Sequence, residues 1–304
     1  MLTHKKAFTP VAPPWLRLLR PLHWTKNLLV FAPALTASLI LEPEVLAKAV
    51  LAFISFCSAA SAGYVLNDLT DLNNDRDHPE KGSRPIGSGQ LKISTAIGIG
   101  VASIACALAT GFTLGSEFSG LIVIYLLLTA IYSLFAKRFV YADIITLVCL
   151  YLIRIAAGAA AISVSVSTWL LFYATALFLS LACMKRHVEL TASKKNNETR
   201  TAGRAYTTLH LPTLLTIGIS AGITSITIFG FYIVDPATAS MYNNHNVLWP
   251  VFMLFGIWMA RLWVSAYSGQ MTNDPIVFVF STLWSLLSMM GMLILTLVAQ
   301  INVS

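Results

Sequence analysis

Asn67, Asp68, Asp71 and Asp75 open the stretch NDLTDLNNDRDHPEKGSRP (67–85), and five of the chain's thirteen carboxylates fall between Asp68 and Glu80. If the apolar helix before them continues through residue 75, Asp68, Asp71 and Asp75 share a ~60° arc, with Asn67 at its edge. Asp77 would then point to the opposite side. Three carboxylates on one face repel one another unless a cation sits between them. Carboxylate and amide oxygens suit Mg²⁺, which keeps some of its waters and shares the rest of its shell with substrate phosphates. The loop that follows, HPEKGSRPIGSGQ, is restricted by Pro79 and Pro85, while Gly82, Gly87 and Gly89 allow backbone to approach a ligand closely. Lys81 and Arg84 would sit beside the metal, as diphosphate binding requires. The plainer alternatives are a solvated helix end and a basic loop anchored to the inner leaflet.

A second set of polar residues needs positioning. Asp143, Leu147, Tyr151, Arg154 and Gly158 step by four, four, three and four and share a helix face. Arg154 lies ~16 Å beyond Asp143 along that axis, too deep to snorkel, so it should face the interior of a bundle. Lys185, Arg186, Glu189, Arg204 and Tyr206 border apolar runs, unlike Lys194, Lys195 and Arg200, which read as a solvated loop. RPLHWTKN (20–27) places Arg20, Trp24, Lys26 and Asn27 just before the first such run. The six histidines have no metal-ligand spacing.

The elements that hold these residues are set by composition. The chain of 304 residues is 57% hydrophobic and only 11% charged, where a soluble domain has about a quarter of its residues charged. An all-α, polytopic membrane protein is expected. Apolar runs able to cross ~30 Å of hydrocarbon fall at 24–41, 45–66, 93–115, 118–136, 143–162, 168–184, 209–233, 247–267 and 276–299. Pro33 interrupts the first. With the N-terminus in the cytoplasm, 17 of the 20 Lys and Arg lie on that side, and only Lys48 lies opposite. The positive-inside rule then gives nine spans, N-in and C-out, with the chemistry facing the cytoplasm. The first twenty residues have no apolar core ending in a small-residue cleavage site, so insertion through the chain's own spans is expected. One domain, 1–304, is expected, with 1–21 as its cytoplasmic N-terminal segment. The four cysteines read as small buried hydrophobes, and the net charge of +7 is not distributed for nucleic acid.

Nine spans with NDxxDxxxD after the second resemble the UbiA-type intramembrane prenyltransferase superfamily. RPLHWTKN, NDLTDLNNDRDHPEKGSRPI, YSLFAK with Asp143 and RIAAG, KRHVEL with GRAYT, and Arg261 with the DP at 274–275 are most similar to its decaprenyl-phosphate phosphoribosyltransferase branch. That resemblance implies Mg²⁺-dependent transfer of 5-phosphoribose from phosphoribosyl diphosphate to a polyprenyl phosphate. The product would feed a lipid-linked arabinose donor for a cell-surface or secreted glycan. It implies Asn67, Asp68, Asp71 and Asp75 as Mg²⁺–diphosphate ligands, with Lys81, Arg84, Tyr132 and Lys137 completing the ribosyl-diphosphate pocket. Lys26, Arg154, Lys185, Arg186 and Arg204 would share the other phosphates, with Asp143, Glu189 and Tyr206 beside them. Aromatic prenyltransferases resemble one another in a second DxxxD motif; here Asp143 is followed four residues on by Leu147. The rivals are an aromatic polyprenyltransferase and, from another class, a cation transporter, for which acids at the membrane edge rather than the midplane are a poor fit. Oligomeric state is left open.

Overall fold

In hydrocarbon every backbone N–H and C=O must be bonded within the protein, which favours helices. The computed structural model is all-α. It describes residues 12–72, 81–195, 205–271 and 274–300, apart from the side chains of Lys81 and Ile276. Eight helices among the described residues are long and apolar enough to cross a membrane. They are α1 (Pro43–Thr70), α2 (Ile93–Phe112), α3 (Ser116–Leu134), α4 (Ala142–Ala161), α5 (Thr168–Lys195), α6 (Leu211–Val234), α7 (Leu248–Tyr267) and α8 (Leu283–Gln300).

The run expected to cross at 24–41 takes a different form. Residues Pro21–Phe31 make a 3₁₀ helix that passes into the short α-helix Ala32–Thr36. The 3₁₀ rise of about 2 Å per residue stretches eleven residues over about 22 Å, and the short helix adds about 7 Å. This segment runs antiparallel along α1. Arg20 pairs with Asp68, Trp24 donates to Ser61 at 3.0 Å, Asn27 donates to Cys57 Sγ at 3.4 Å, and the rings of Phe31 and Phe53 lie 5.9 Å apart. Three other expectations change. α1 ends at Thr70 with Asp71 at its C-cap, so the helix does not run unbroken to 75. α5 continues past 184 through KRHVEL to Lys195, because that extra stretch is itself packed: Arg186 and Leu190 are buried. The run at 276–299 divides into Pro275–Ser281 and α8.

α4 is the hub. Its Ile144, Val148, Tyr151 and Ile155 join one apolar cluster with α5, α6 and α7, while its Leu150, Ala157 and Ala161 join a second with α1 and α3. Small residues let the backbones approach where no hydrophobic drive between helices exists in lipid. At Gly158 a Cβ would stand 2.2 Å from the carbonyl oxygen of Val30, so α4 and the 3₁₀ segment touch backbone to backbone. Gly158→Ala is therefore expected to destabilise the protein by about 1–3 kcal/mol, since backbone cannot yield as a side chain can. Gly98 has open space beyond it, and Gly98→Ala should melt at or above the wild-type temperature. Thermal melts of both variants in one detergent check the pair.

Candidate active site

A cavity of about 310 Å³ opens where the 3₁₀ segment, α1, α3, α4 and α5 converge. Six cations reach its wall (Arg20, Lys26, Arg84, Lys137, Arg154 and Lys185) against two carboxylates, Asp71 and Glu189. Such a cavity is large enough for a compact phosphorylated molecule and is biased toward a polyanion.

The wall at the end of α1 is acidic. Asn67 and Asp71 lie one turn apart, and Lys137 donates to both, at 3.3 Å to Asn67 Oδ1 and 2.6 Å to Asp71 Oδ1. Two hard oxygens already converge on one ammonium, and this donor set fits a divalent cation such as Mg²⁺. Asp68, 2% exposed, instead takes Arg20 and Arg84 on its Oδ1, the latter at 3.0 Å. Arg20 reaches it from a left-handed backbone (φ 54°, ψ 60°), a conformation that costs a bulky residue about 1–3 kcal/mol and persists only where surroundings enforce it. Asp75 and Arg204 lie outside the described residues, as does the side chain of Lys81. Among the described residues no three His, Cys, Asp or Glu side chains come together.

Arg154 closes the deep end. Its Nε donates to Asn27 Oδ1 at 2.8 Å, one terminal nitrogen donates to Tyr125 OH at 2.8 Å, and the other bonds the Leu150 carbonyl. The guanidinium also stacks over the Tyr125 ring, 4.7 Å from its centroid. On the opposite flank Lys26 and Lys185 meet at Asp274, at 3.3 and 2.5 Å.

Behind the wall lies a second network, with a buried centre at Arg186, Asp143 and Tyr206 and its outer members Tyr132 and Glu189 reaching the cavity. Arg186 bonds Asp143 and Glu189, and gives a further N–H to Tyr132 OH at 3.1 Å. Asp143 also accepts from Tyr206 OH at 2.5 Å, and Tyr206 accepts from the Tyr141 N–H at 2.8 Å. Burial first, and then the bond to Asp143, push the Tyr206 hydroxyl above its ordinary range, so it stays a donor.

Of the residues singled out in the sequence, Lys26, Asn67, Asp71, Arg84, Tyr132, Lys137, Arg154, Lys185 and Glu189 line the cavity. Asp143, Arg186 and Tyr206 sit one layer back, with exposures of 0, 1 and 0%. Sequence reasoning left out His23, Tyr64 and Tyr125, which also line it, and Asp274, which holds two of its lysines. A tyrosine in an apolar span has no distinguishing mark, whereas Asp274 stood out only as part of a DP dipeptide.

The residues from 29 to 287 match the UbiA prenyltransferase family. The chain belongs to that family. It is 31% identical over 273 residues to the nodulation protein NoeC of Azorhizobium caulinodans, an alignment covering 90% of this chain and 89% of NoeC. It is 32% identical over 221 residues to the decaprenyl-phosphate phosphoribosyltransferase of Corynebacterium glutamicum, covering 71% of this chain and 67% of that enzyme. A third relative, the uncharacterised y4nM of Sinorhizobium fredii, is 30% identical over 87% of this chain, which spans about half of y4nM's length (51%). Among solved structures, a UbiA homologue from Archaeoglobus fulgidus bound to DMAPP and Mg²⁺ superposes with a TM-score of 0.70 at 17% identity, covering 93% of this chain and 99% of that one. The shared fold is that of a membrane-embedded transferase.

Proposed function

We propose that this protein transfers 5-phosphoribose from phosphoribosyl diphosphate to a polyprenyl phosphate. The observation that carries the reading is the cation-rich cavity, polar down to the Arg154 guanidinium, which suits a donor phosphorylated at both ends better than one with a hydrocarbon tail. The C1–O bond to diphosphate breaks with its electron pair leaving on pyrophosphate, and a lipid-phosphate oxygen bonds to C1. The ribose carbon passes through oxocarbenium character. The acceptor is already ionised at neutral pH, so no strong general base is required. Arg84 and Lys137 take up charge growing on the leaving group, and Arg20 is held ready by Asp68. Asn67 and Asp71 would hold Mg²⁺, joined by Asp75 on the sequence reading, and the ion would supply Lewis-acid neutralisation of the diphosphate. Tyr132 and Glu189 are fixed by Arg186 and shape the wall facing the sugar. Arg186, Asp143 and Tyr206, buried one layer behind the cavity, are read as supporting residues rather than phosphate ligands.

The 3₁₀ segment is read as a ninth crossing, which keeps the N-in, C-out orientation and one domain over 1–304, in a bacterial inner membrane with the cavity open to the cytoplasm. The phosphoribosyl lipid would supply an arabinose donor for a surface or secreted glycan.

Two assays on one purified preparation test the reaction. Ribose-labelled phosphoribosyl diphosphate with polyprenyl phosphate is expected to give organic-phase label. Polyprenyl diphosphate with 4-hydroxybenzoate is expected to give none. The reverse pattern assigns the chain to the aromatic branch.

A further inference from the structure

Two lysines brought onto a single carboxylate from distant parts of the chain are an expensive arrangement unless the site uses their combined charge. Lys26 lies 248 residues from Asp274 and Lys185 lies 89 residues from it, yet both ammonium groups bond the same oxygen, Oδ2, at 3.3 and 2.5 Å. One negative charge on two positive ones leaves an excess of one, and both lysines line the cavity. Asp274 is seated behind them, 13% exposed, at the start of the helix Pro275–Ser281, where its carbonyl accepts from the Phe278 N–H at 2.9 Å. Beside the pair lies a small pocket of about 10 Å³, room for about one water, where Lys185 and Asp274 meet the apolar side chains of Leu147, Tyr151, Leu181, Ala182 and Pro275. A ligand in the main cavity that reaches the two lysines therefore has an apolar wall of α4 and α5 beside its charged end. That is the recognition pattern of an amphiphilic phosphate.

The other walls suit it less. At the end of α1 the lining is polar throughout, with Asn67, Asp71, Arg84 and Lys137 and no apolar side wall for a hydrocarbon tail among these residues. Arg154 at the floor already gives three bonds to Asn27, Tyr125 and the Leu150 carbonyl.

We propose that Lys26 and Lys185 form the head-group clamp for the acceptor lipid phosphate, with Asp274 as the positioning residue that keeps the two ammonium groups together. The identity of that lipid rests on the transfer proposed above. Asp274 acts as a resident counter-ion: it offsets repulsion between the lysines when no ligand is bound, and it leaves their outward N–H groups for a phosphate.

The test measures binding of farnesyl phosphate, and separately of phosphoribosyl diphosphate with Mg²⁺, to the full-length protein and to Lys185→Gln, Asp274→Ala and Asp274→Glu. Farnesol serves as the uncharged control. Losing one charge-assisted contact should weaken farnesyl phosphate about tenfold or more in Lys185→Gln and Asp274→Ala. Phosphoribosyl diphosphate should stay within about threefold, as expected for a site that is not coupled, which also reports that the variants are folded. Asp274→Glu should recover part of the loss, and in steady state the effect should fall on KM for the lipid rather than on KM for the donor. Unchanged farnesyl phosphate binding in Lys185→Gln would overturn the clamp, as would equal loss of both ligands. Wild-type binding of farnesyl phosphate through these residues, with no binding of phosphoribosyl diphosphate, would keep the clamp and remove the reaction assigned to the cavity.

Discussion

Asp71→Ala is expected to lower phosphoribosyl transfer by at least about a hundredfold while the protein melts close to the wild-type temperature. The size follows from the location: Asp71 lines the cavity, is 27% exposed, and with Asn67 converges on one cation. Removing a preorganised group that meets developing charge typically costs about 10²–10³ in rate. Stability is spared because the carboxylate stands at a helix C-cap with solvent beside it, and its pair with Lys137 is partly screened. Asp71→Glu keeps a carboxylate at the wrong reach, so it should retain part of the activity at a higher Mg²⁺ requirement. Initial rates across a Mg²⁺ titration, for all three proteins, check this. Turnover and metal dependence left intact in Asp71→Ala would remove the acidic wall from the mechanism.

Arg186→Met carries the largest expected effect on stability. The guanidinium is 1% exposed and Asp143 is 0% exposed, so removing the arginine deletes the charged partner of a buried carboxylate, which retains the Tyr206 hydroxyl and the Ile144 N–H. Breaking a buried pair by deleting one partner costs about 3–5 kcal/mol, whereas replacing both with apolar groups of similar volume is often close to neutral. The double variant Arg186→Met/Asp143→Leu should therefore recover much of the melting temperature lost in Arg186→Met. Thermal melts monitored by size-exclusion in one detergent give the comparison. A variant Arg186→Met that melts as wild type and loses only substrate binding would return Arg186 to the phosphate-binding role suggested by its place in the sequence.

These two residues also mark where sequence reasoning succeeds and where it stops. Acids are conspicuous in a chain with so few charges, so Asn67, Asp68 and Asp71 stand out in the sequence as a candidate site, and the fold places Asn67 and Asp71 on the cavity wall. Arg154 was legible because an arginine deep in an apolar run has no inexpensive place except the bundle interior. Partners across the fold were not legible. Arg186 reads as a cation at a membrane border until Asp143, 43 residues earlier, is found against it. Asp68 reads as a metal ligand from its spacing, and only the fold shows that Arg20 and Arg84 share its Oδ1. Asp274 and Lys26 are separated by nearly the whole chain. The helical content was plain from hydropathy, but hydropathy does not separate a 3₁₀ helix from an α-helix. The stretch 21–31 was therefore read as an ordinary span starting at 24, and its backbone contact at Gly158 was invisible.

The most direct measurement is pyrophosphate release by the purified protein supplied with phosphoribosyl diphosphate, polyprenyl phosphate and Mg²⁺. Pyrophosphate should appear in step with phosphoribosyl lipid, stop when either the lipid phosphate is omitted or the metal is chelated, and remain near background in Asp71→Ala. Pyrophosphate that appears without the lipid acceptor, or at an unchanged rate in chelator, would contradict the account.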